Sequence, residues 1–360
     1  MARLGLSVEK AARIASCSVI PGRPYHVQWL LTRKCNYRCR GCNVWREQDT
    51  KELSTDEVRR GLKVLKELGV IDIVFSGGDP LLREDIGEIL EYASRYFVTT
   101  IYDNGSMAEK KIDELRHADF VAISLDTLDA RKNDYAKGVK GSWRMATQAI
   151  ETLHKEGINV SVSPTISQLN LNEIVGFSRY FAEKEIPVWY CLYSYDSQVD
   201  GGQLFRIGKK QSEYEISDGQ AMVNVCDAII EMKKEYSNIL ITNKLLKAIK
   251  NLYMHGERTW KCRALRNFFM IDHMGRVAGC HLRQPVASVF DLPKEWNSAK
   301  FNALRKTCSE CTQCVYLCYI FYSLHGTVLG NLQIAQDRWR NAGLLLKKKN
   351  LTIPSSAMPR

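Results

Sequence analysis

The 360-residue chain reads as an α/β protein built on a parallel sheet with helices outside, and three observations carry that expectation. Short apolar or β-branched runs recur along it, helical patterns fall between them, and glycine or polar residues stand at the ends of several runs. Alternation of this kind suits an open doubly wound sheet or part of a barrel, and the sequence pattern does not separate the two.

The elements follow in order. An apolar strand-like segment ends just before Thr32. Ser54-Thr-Asp-Glu57 is a capping-box pattern, and the helix behind it carries Val58, Leu62, Leu65 and Leu68 on one face. Residues 71–75 read as a buried strand that ends in Ser76-Gly77-Gly78-Asp79-Pro80. Further strands are expected at 97–102, 120–125, 160–165 and 188–193, with helices at 145–154 and 171–183 among them. Residues 196–217 are polar and glycine-bearing, and read as a lid or connection. A linking helix at 218–236 stripes Val223, Cys226, Ile229 and Met232. Later, 268–271 and 276–278 form a β-hairpin pattern that turns at His273-Met-Gly275.

The chemistry begins in the loop after the first strand, where Cys35, Cys39 and Cys42 stand at CxxxCxxC spacing. Three thiolates from one short loop can hold three irons of a [4Fe-4S] cube and leave the fourth iron open. A structural zinc site would need a fourth protein ligand, and no histidine follows Cys42 until His117. Disulfides fit poorly, since no secretory signal precedes the motif and its spacing is tight. Gly77 and Gly78, at a strand's carboxyl end, bring backbone close to a ligand because no Cβ intervenes. Strand-end polar residues are further candidates: Asp103 and Asn104, Ser124 and Asp126, and Thr165 with Ser167.

This pair of motifs, in this order and spacing, resembles the radical S-adenosylmethionine (SAM) superfamily over about residues 25–195. The resemblance implies a partial (β/α)6 barrel, with Cys35, Cys39 and Cys42 holding the SAM-binding [4Fe-4S] cluster. It implies SAM contacts at Gly77, Gly78, Asp79, Asn104, Ser124 and Asp126, the fourth-strand pair lying toward the ribose. Two departures stand out: Asp79 replaces the family's more common Glu, and Gly41 replaces an aromatic residue, leaving only backbone there for an adenine contact. Family chemistry implies reductive cleavage of SAM to methionine and a 5′-deoxyadenosyl radical, with ferredoxin or flavodoxin as electron donor.

Nine of the twelve cysteines are clustered; the other six of these are Cys262, Cys280, Cys308, Cys311, Cys314 and Cys318. Cys17, Cys191 and Cys226 are isolated and read as small apolar packing residues. The six resemble the SPASM or shorter twitch extension of radical SAM enzymes and imply one auxiliary [4Fe-4S] cluster. Cys262, Cys280, Cys314 and Cys318 are the first-choice ligands, with zinc as the alternative occupant.

With 45% hydrophobic residues the chain can bury a barrel and an appended small domain, and no apolar run of about 18 residues suggests a membrane span. A net charge of +11 suits anionic partners without choosing among them. Leu344-Leu-Leu346 beside Lys347-Lys-Lys349, and an amphipathic stretch at 4–14, suggest peripheral membrane contact; a nucleic-acid partner is not expected. The expected organisation is an N-terminal segment 1–24, a barrel 25–215, linking helices 216–255, an auxiliary-cluster domain 256–330 and a tail 331–360. A cytoplasmic enzyme that modifies a peptide or protein is the first functional expectation. A lipid or small-molecule enzyme is the alternative, and a non-catalytic electron-transfer protein the second.

Overall fold

β1 (His26–Thr32) is an almost wholly buried strand, and in the computed structural model it sits between two parallel partners. Residues 23–46, 51–194, 213–313 and 315–324 are described. The 4–14 stretch, Cys17, most of the 196–217 connection, Cys314 and the 344–349 run lie outside the described residues.

On one side β1 pairs with β2 (Asp72–Gly77), and the ladder continues through β3 (Val98–Asp103), β4 (Phe120–Ile123) and β5 (Val160–Val162), all parallel. On the other side it pairs in parallel with β8 (Phe268–Ile271), which turns back as β9 (Arg276–Ala278) and is edged by β10 (Ala287–Ser288). The C-terminal hairpin, at the boundaries read from sequence, is thus part of the main sheet. A separate pair, β6 (Thr165–Ile166) with β7 (Cys191–Leu192), follows β5. The 160–165 run divides because Pro164 has no N–H to give a ladder; its carbonyl instead accepts from Cys191 N at 2.9 Å. Val188 bridges both Val162 and Ile239, which carries the edge onward without closing it among the described residues. An open, mostly parallel α/β sheet of this order is a partial barrel.

Helices cover the outer face: α1 (Thr55–Leu68), α2 (Ile86–Ser94), α3 (Ala130–Lys137), α4 (Ser142–Lys155) and α5 (Ile174–Glu183), leaving single-turn segments aside. The capping box forms as expected: Ser54 N donates to Glu57 Oε2 at 2.9 Å and Ser54 Oγ accepts from Glu57 N. Gly61 lets α1 lie flat on the sheet, since a Cβ there would come within 2.6 Å of the Trp29 ring. α6 (Gly219–Glu235) and α7 (Asn243–His255) then pack together, and α8 (Ala299–Ser309) leads to α9 (Leu317–Leu324).

α9 is pinned to β1, β2 and β8 by aromatic contacts. Tyr322 stacks on His26 at 3.9 Å between centroids and donates to Asp72 Oδ2 at 2.5 Å, the same oxygen that His26 Nδ1 meets at 2.8 Å. Tyr319 stacks on Phe268 and donates to Gln28 Oε1. Hydrogen bonds to a charged, buried acceptor are among the stronger ones, so Tyr322→Phe should lower the unfolding free energy by about 1.5–3 kcal/mol. Urea denaturation followed by circular dichroism measures this; an unchanged midpoint would mean that α9 docks by stacking alone.

Candidate functional site

The cysteine loop leaves the carboxyl end of β1 and is clamped from two sides. Beneath it lies the glycine loop after β2, where Gly78 N donates to Thr32 O and Asp79 N to Lys34 O, each at 2.8 Å. The approach is too close for any side chain: a Cβ on Gly77 would sit 2.2 Å from Thr32 O, and one on Gly78 2.2 Å from Lys34 O. Gly77 also has φ +142, a conformation that side-chain-bearing residues rarely adopt. The glycines therefore do more than the sequence reading asked of them. Their missing side chains admit the cysteine loop itself, and their N–H groups or neighbours are spent holding it.

From the other side, α3 receives the loop: Arg38 N donates to Lys137 O and Arg40 N to Ala136 O. Trp45 Nε1 donates to Cys39 O at 3.0 Å, and Cys42 packs with Leu30, Val44, Met270 and Ala278. Cys35, Cys39 and Cys42 are free thiols, and each retains some accessible surface. Burial pushes Cys35 and Cys42 up to about 12 and raises Cys39 too, so metal binding here would displace protons. The three thiols feel one another electrostatically.

Among the described residues no three His, Cys, Asp or Glu side chains converge tightly enough to hold one metal ion. A [4Fe-4S] cube makes a different demand, since each thiolate binds its own iron. Three free thiols on one clamped loop fit that group.

Asp79 is fully buried, and both its oxygens are engaged: Leu81 N donates to Oδ1 and Asn104 Nδ2 to Oδ2. Asn104 also reaches Asn36 in the cysteine loop at 2.8 Å. These two candidates thus tie the β2 and β3 ends to the loop. Ser124 and Asp126 meet at Lys137, whose Nζ lies 2.8 Å from Ser124 Oγ and 2.8 Å from Asp126 Oδ2. Burial pulls the Lys137 ammonium down, but Asp126 and Cys39 outweigh it and hold it above its ordinary range. The sequence reading missed Lys137, because a lysine ending a helix looks like a solvated cap. It also missed Tyr193, whose ring occupies the space that a side chain at Gly41 would take, 2.8 Å from the absent Cβ, and which stacks on Tyr214.

The second cysteine group is Cys262, Cys280, Cys308 and Cys311, which line one small cavity together with Arg283, Phe268 and Tyr319. Cys308 responds to both Cys262 and Cys311, and burial pushes it up to about 12. This differs from the first-choice set. Tyr319 and Tyr322 face β8 and β1, and Cys318 then lines a different cavity, beside Trp189 and Tyr190, while Cys314 is outside the described residues. The end of α8 supplies Cys308 and Cys311 in its place.

Residues 29–180 match the sequence profile of the radical SAM superfamily. Over these residues the chain is similar to the radical SAM superfamily. Within it, the chain is 32% identical over 174 residues to Fe-coproporphyrin III synthase of Methanosarcina barkeri, covering 46% of this chain and 43% of that protein. It is 30% identical over 161 residues to the mycofactocin maturase MftC of Mycolicibacterium smegmatis, covering 43% and 41% respectively. The match thus spans less than half of each of these curated relatives. The fold is similar to crystalline SuiB of Streptococcus suis, with TM-score 0.61 and 16% identity over 82% of this chain and 71% of that one.

Gly78→Ala should leave a folded chain that loses the iron of the three-cysteine loop. Iron analysis after anaerobic reconstitution, beside an unchanged circular dichroism spectrum, checks this; full iron retention would show that the loop tolerates displacement.

Proposed function

We propose that this chain is an enzyme that cleaves SAM reductively and uses the resulting radical to modify a peptide or protein. The observation that carries the first half is the clamped CxxxCxxC loop facing a buried ammonium, Lys137, at the carboxyl ends of the parallel strands. When bound at Cys35, Cys39 and Cys42, a [4Fe-4S] cluster with one open iron would supply a chelation point for SAM and the electron that breaks its C5′–S bond.

The chain's own residues then position the cofactor. Lys137 offers a charge partner for the methionyl carboxylate, Gly77 and Gly78 offer carbonyls to its ammonium, and Ser124 with Asp126 offers polar contacts toward the ribose. Asp79 and Asn104 support the loop from beneath. Tyr193, stacked on Tyr214, supplies the aromatic surface that Gly41 lacks, so the adenine would meet a ring carried by the segment after β7. Cys262, Cys280, Cys308 and Cys311 are the ligands we assign to one auxiliary [4Fe-4S] cluster. A small one-electron protein, ferredoxin or flavodoxin, is the matching donor.

Peptide modification is favoured by the auxiliary cysteines and by the similarity to a maturase. A small-molecule substrate is the second reading, favoured by the similarity to Fe-coproporphyrin III synthase. No described helix is long and apolar enough to cross a membrane, and contact with a membrane surface belongs to this second reading only.

Anaerobic reconstitution, followed by SAM and dithionite, should give about eight irons per chain and 5′-deoxyadenosine. Cys35→Ala, Cys39→Ala and Cys42→Ala should each abolish that product; cleavage unchanged in any one would sink the site assignment. Iron without product in the wild type would move the electron-transfer reading ahead. At the second site, Cys308→Ala or Cys311→Ala should cost about four irons, whereas Cys318→Ala should cost none. Loss of one zinc ion instead would identify a structural zinc site.

A further inference from the structure

The cysteine loop carries charge as well as thiols. Residues 33–46 hold five cations, Arg33, Lys34, Arg38, Arg40 and Arg46, and no aspartate or glutamate. Arg33 is buried, and Lys34 lies 3.5 Å from Glu52. Arg38, Arg40 and Arg46 are exposed, and among the described residues none of the three has a carboxylate within ion-pair distance. Like charges gathered on one surface repel one another, so keeping them there costs the fold stability.

Aromatic rings hold the three arginines in place. The Arg46 guanidinium lies 4.3 Å from the centroid of the Trp45 ring, and that of Arg38 lies 5.3 Å from the same ring. Arg38 also donates to Cys35 O at 2.8 Å and to Tyr37 O at 2.9 Å. The Arg40 guanidinium lies 4.0 Å from the ring of Tyr135 on α3. The nearby acid, Glu213, accepts from the Tyr135 hydroxyl at 3.0 Å instead of pairing with Arg40. Stacking fixes the side chains and leaves their charge intact. Trp45 Nε1 donates to Cys39 O at 3.0 Å, so the ring under two of the guanidiniums is bonded directly to a cysteine of the loop. The patch faces away from the SAM contacts assigned above. Tyr135 is 43% exposed, whereas Lys137, two residues on and so on the other side of the same helix, is buried against Ser124 and Asp126.

We propose that Arg38, Arg40 and Arg46, held on Trp45 and Tyr135, form the docking surface for an acidic one-electron carrier protein. This rests on the SAM-cleavage reading, which requires an electron at the cysteine loop. Electron transfer through protein falls off steeply with distance, so a carrier seated on the loop itself, over a ring bonded to Cys39, has a short route. One electron leaves the reduced flavin or iron-sulfur group of the carrier, which is oxidised, and enters a cluster held by Cys35, Cys39 and Cys42; no bond forms or breaks. Charge complementarity selects an acidic partner, and the net charge of +11 attracts it from a distance. Guanidiniums already held on rings lose little freedom on docking. A carrier that must leave after each electron suits a small, salt-sensitive contact better than a tight one.

The test uses the full reconstituted chain with two donors: reduced flavodoxin, and photoreduced 5-deazaflavin, which is small enough to need no docking surface. In the double variant Arg40→Gln/Arg46→Gln, reduction by flavodoxin, followed as bleaching of the iron-sulfur absorbance, should slow by about tenfold. Reduction by deazaflavin should match wild type. Raising the salt from about 50 to about 300 mM should slow the wild-type flavodoxin reaction and barely change that of the variant. Lys184→Gln, which removes an exposed cation lying over Tyr180 just beyond α5, should match wild type with both donors. Without any turnover, the affinity for oxidised flavodoxin, measured by calorimetry, should fall by about tenfold in the double variant. Equal flavodoxin rates and affinities in variant and wild type would overturn the proposal, as would a wild type that does not bind flavodoxin. Equal slowing with both donors would overturn it too, because the arginines would then act on the loop and not on the carrier. 5′-Deoxyadenosine formed from SAM with deazaflavin reports separately on the cleavage reading.

Discussion

β1 has to keep two parallel partners in register at once, and both cysteine groups depend on it. Toward β2 the register runs from His26↔Asp72 to Leu30↔Ser76 and then slips to Thr32↔Gly77, which sets the glycine loop beneath the cysteine loop. Toward β8 it runs from His26↔Phe268 to Trp29↔Ile271, which fixes the hairpin between Cys262 and Cys280. A one-residue slip on either side would reverse the faces of every side chain in the shifted strand. The stacking of His26, Tyr322, Phe268 and Tyr319 makes such a slip costly, because all four rings would lose their partners together.

Strand alternation then divides the molecule into a dry face and a polar face. Val27, Trp29, Ile73, Phe75 and Ile101 carry the apolar side of β1 to β3 into the main core. Gln28, Ser76 and Tyr102 take the opposite side. Gln28 donates to Ser76 and accepts from Tyr319 and from His281 Nε2. Burial pulls His281 down to about 3, so it stays neutral and donates through that nitrogen. An interior lined this way can hold a polar reactant without exposing it to bulk water, which suits chemistry that must limit side reactions.

Much of this was legible in the sequence because local rules decide it. The capping box at Ser54, the hairpin at Phe268–Ile271 and Arg276–Ala278, and the CxxxCxxC spacing are short-range signals that the fold leaves intact. What was not legible depends on long-range packing. Which cysteines line the second cavity follows from how the hairpin and the end of α8 meet, and how α9 docks is set by tyrosines meeting β1 and β8 far away in sequence. Lys137 and Tyr193 were hidden for the same reason: nothing near either residue says that a loop about a hundred residues or more upstream will come to rest on it. Pro164 was a visible signal, and it marks where one expected strand becomes two.

The exchange of Glu for Asp at position 79 shows how the fold absorbs a departure. A shorter side chain leaves the carboxyl group near β3, where Asp103 waits, buried and one strand away. Burial raises both acids, and the charge of Asp79 raises Asp103 further. Gly105 N donates to Asp103 Oδ1 at 2.6 Å and fixes its orientation. Asn104, the residue after Asp103, ties the β2 loop to the β3 loop by donating to Asp79 Oδ2 at 2.9 Å. Asp79 also raises Cys35, so negative charge added here opposes formation of the thiolate through which Cys35 would bind iron.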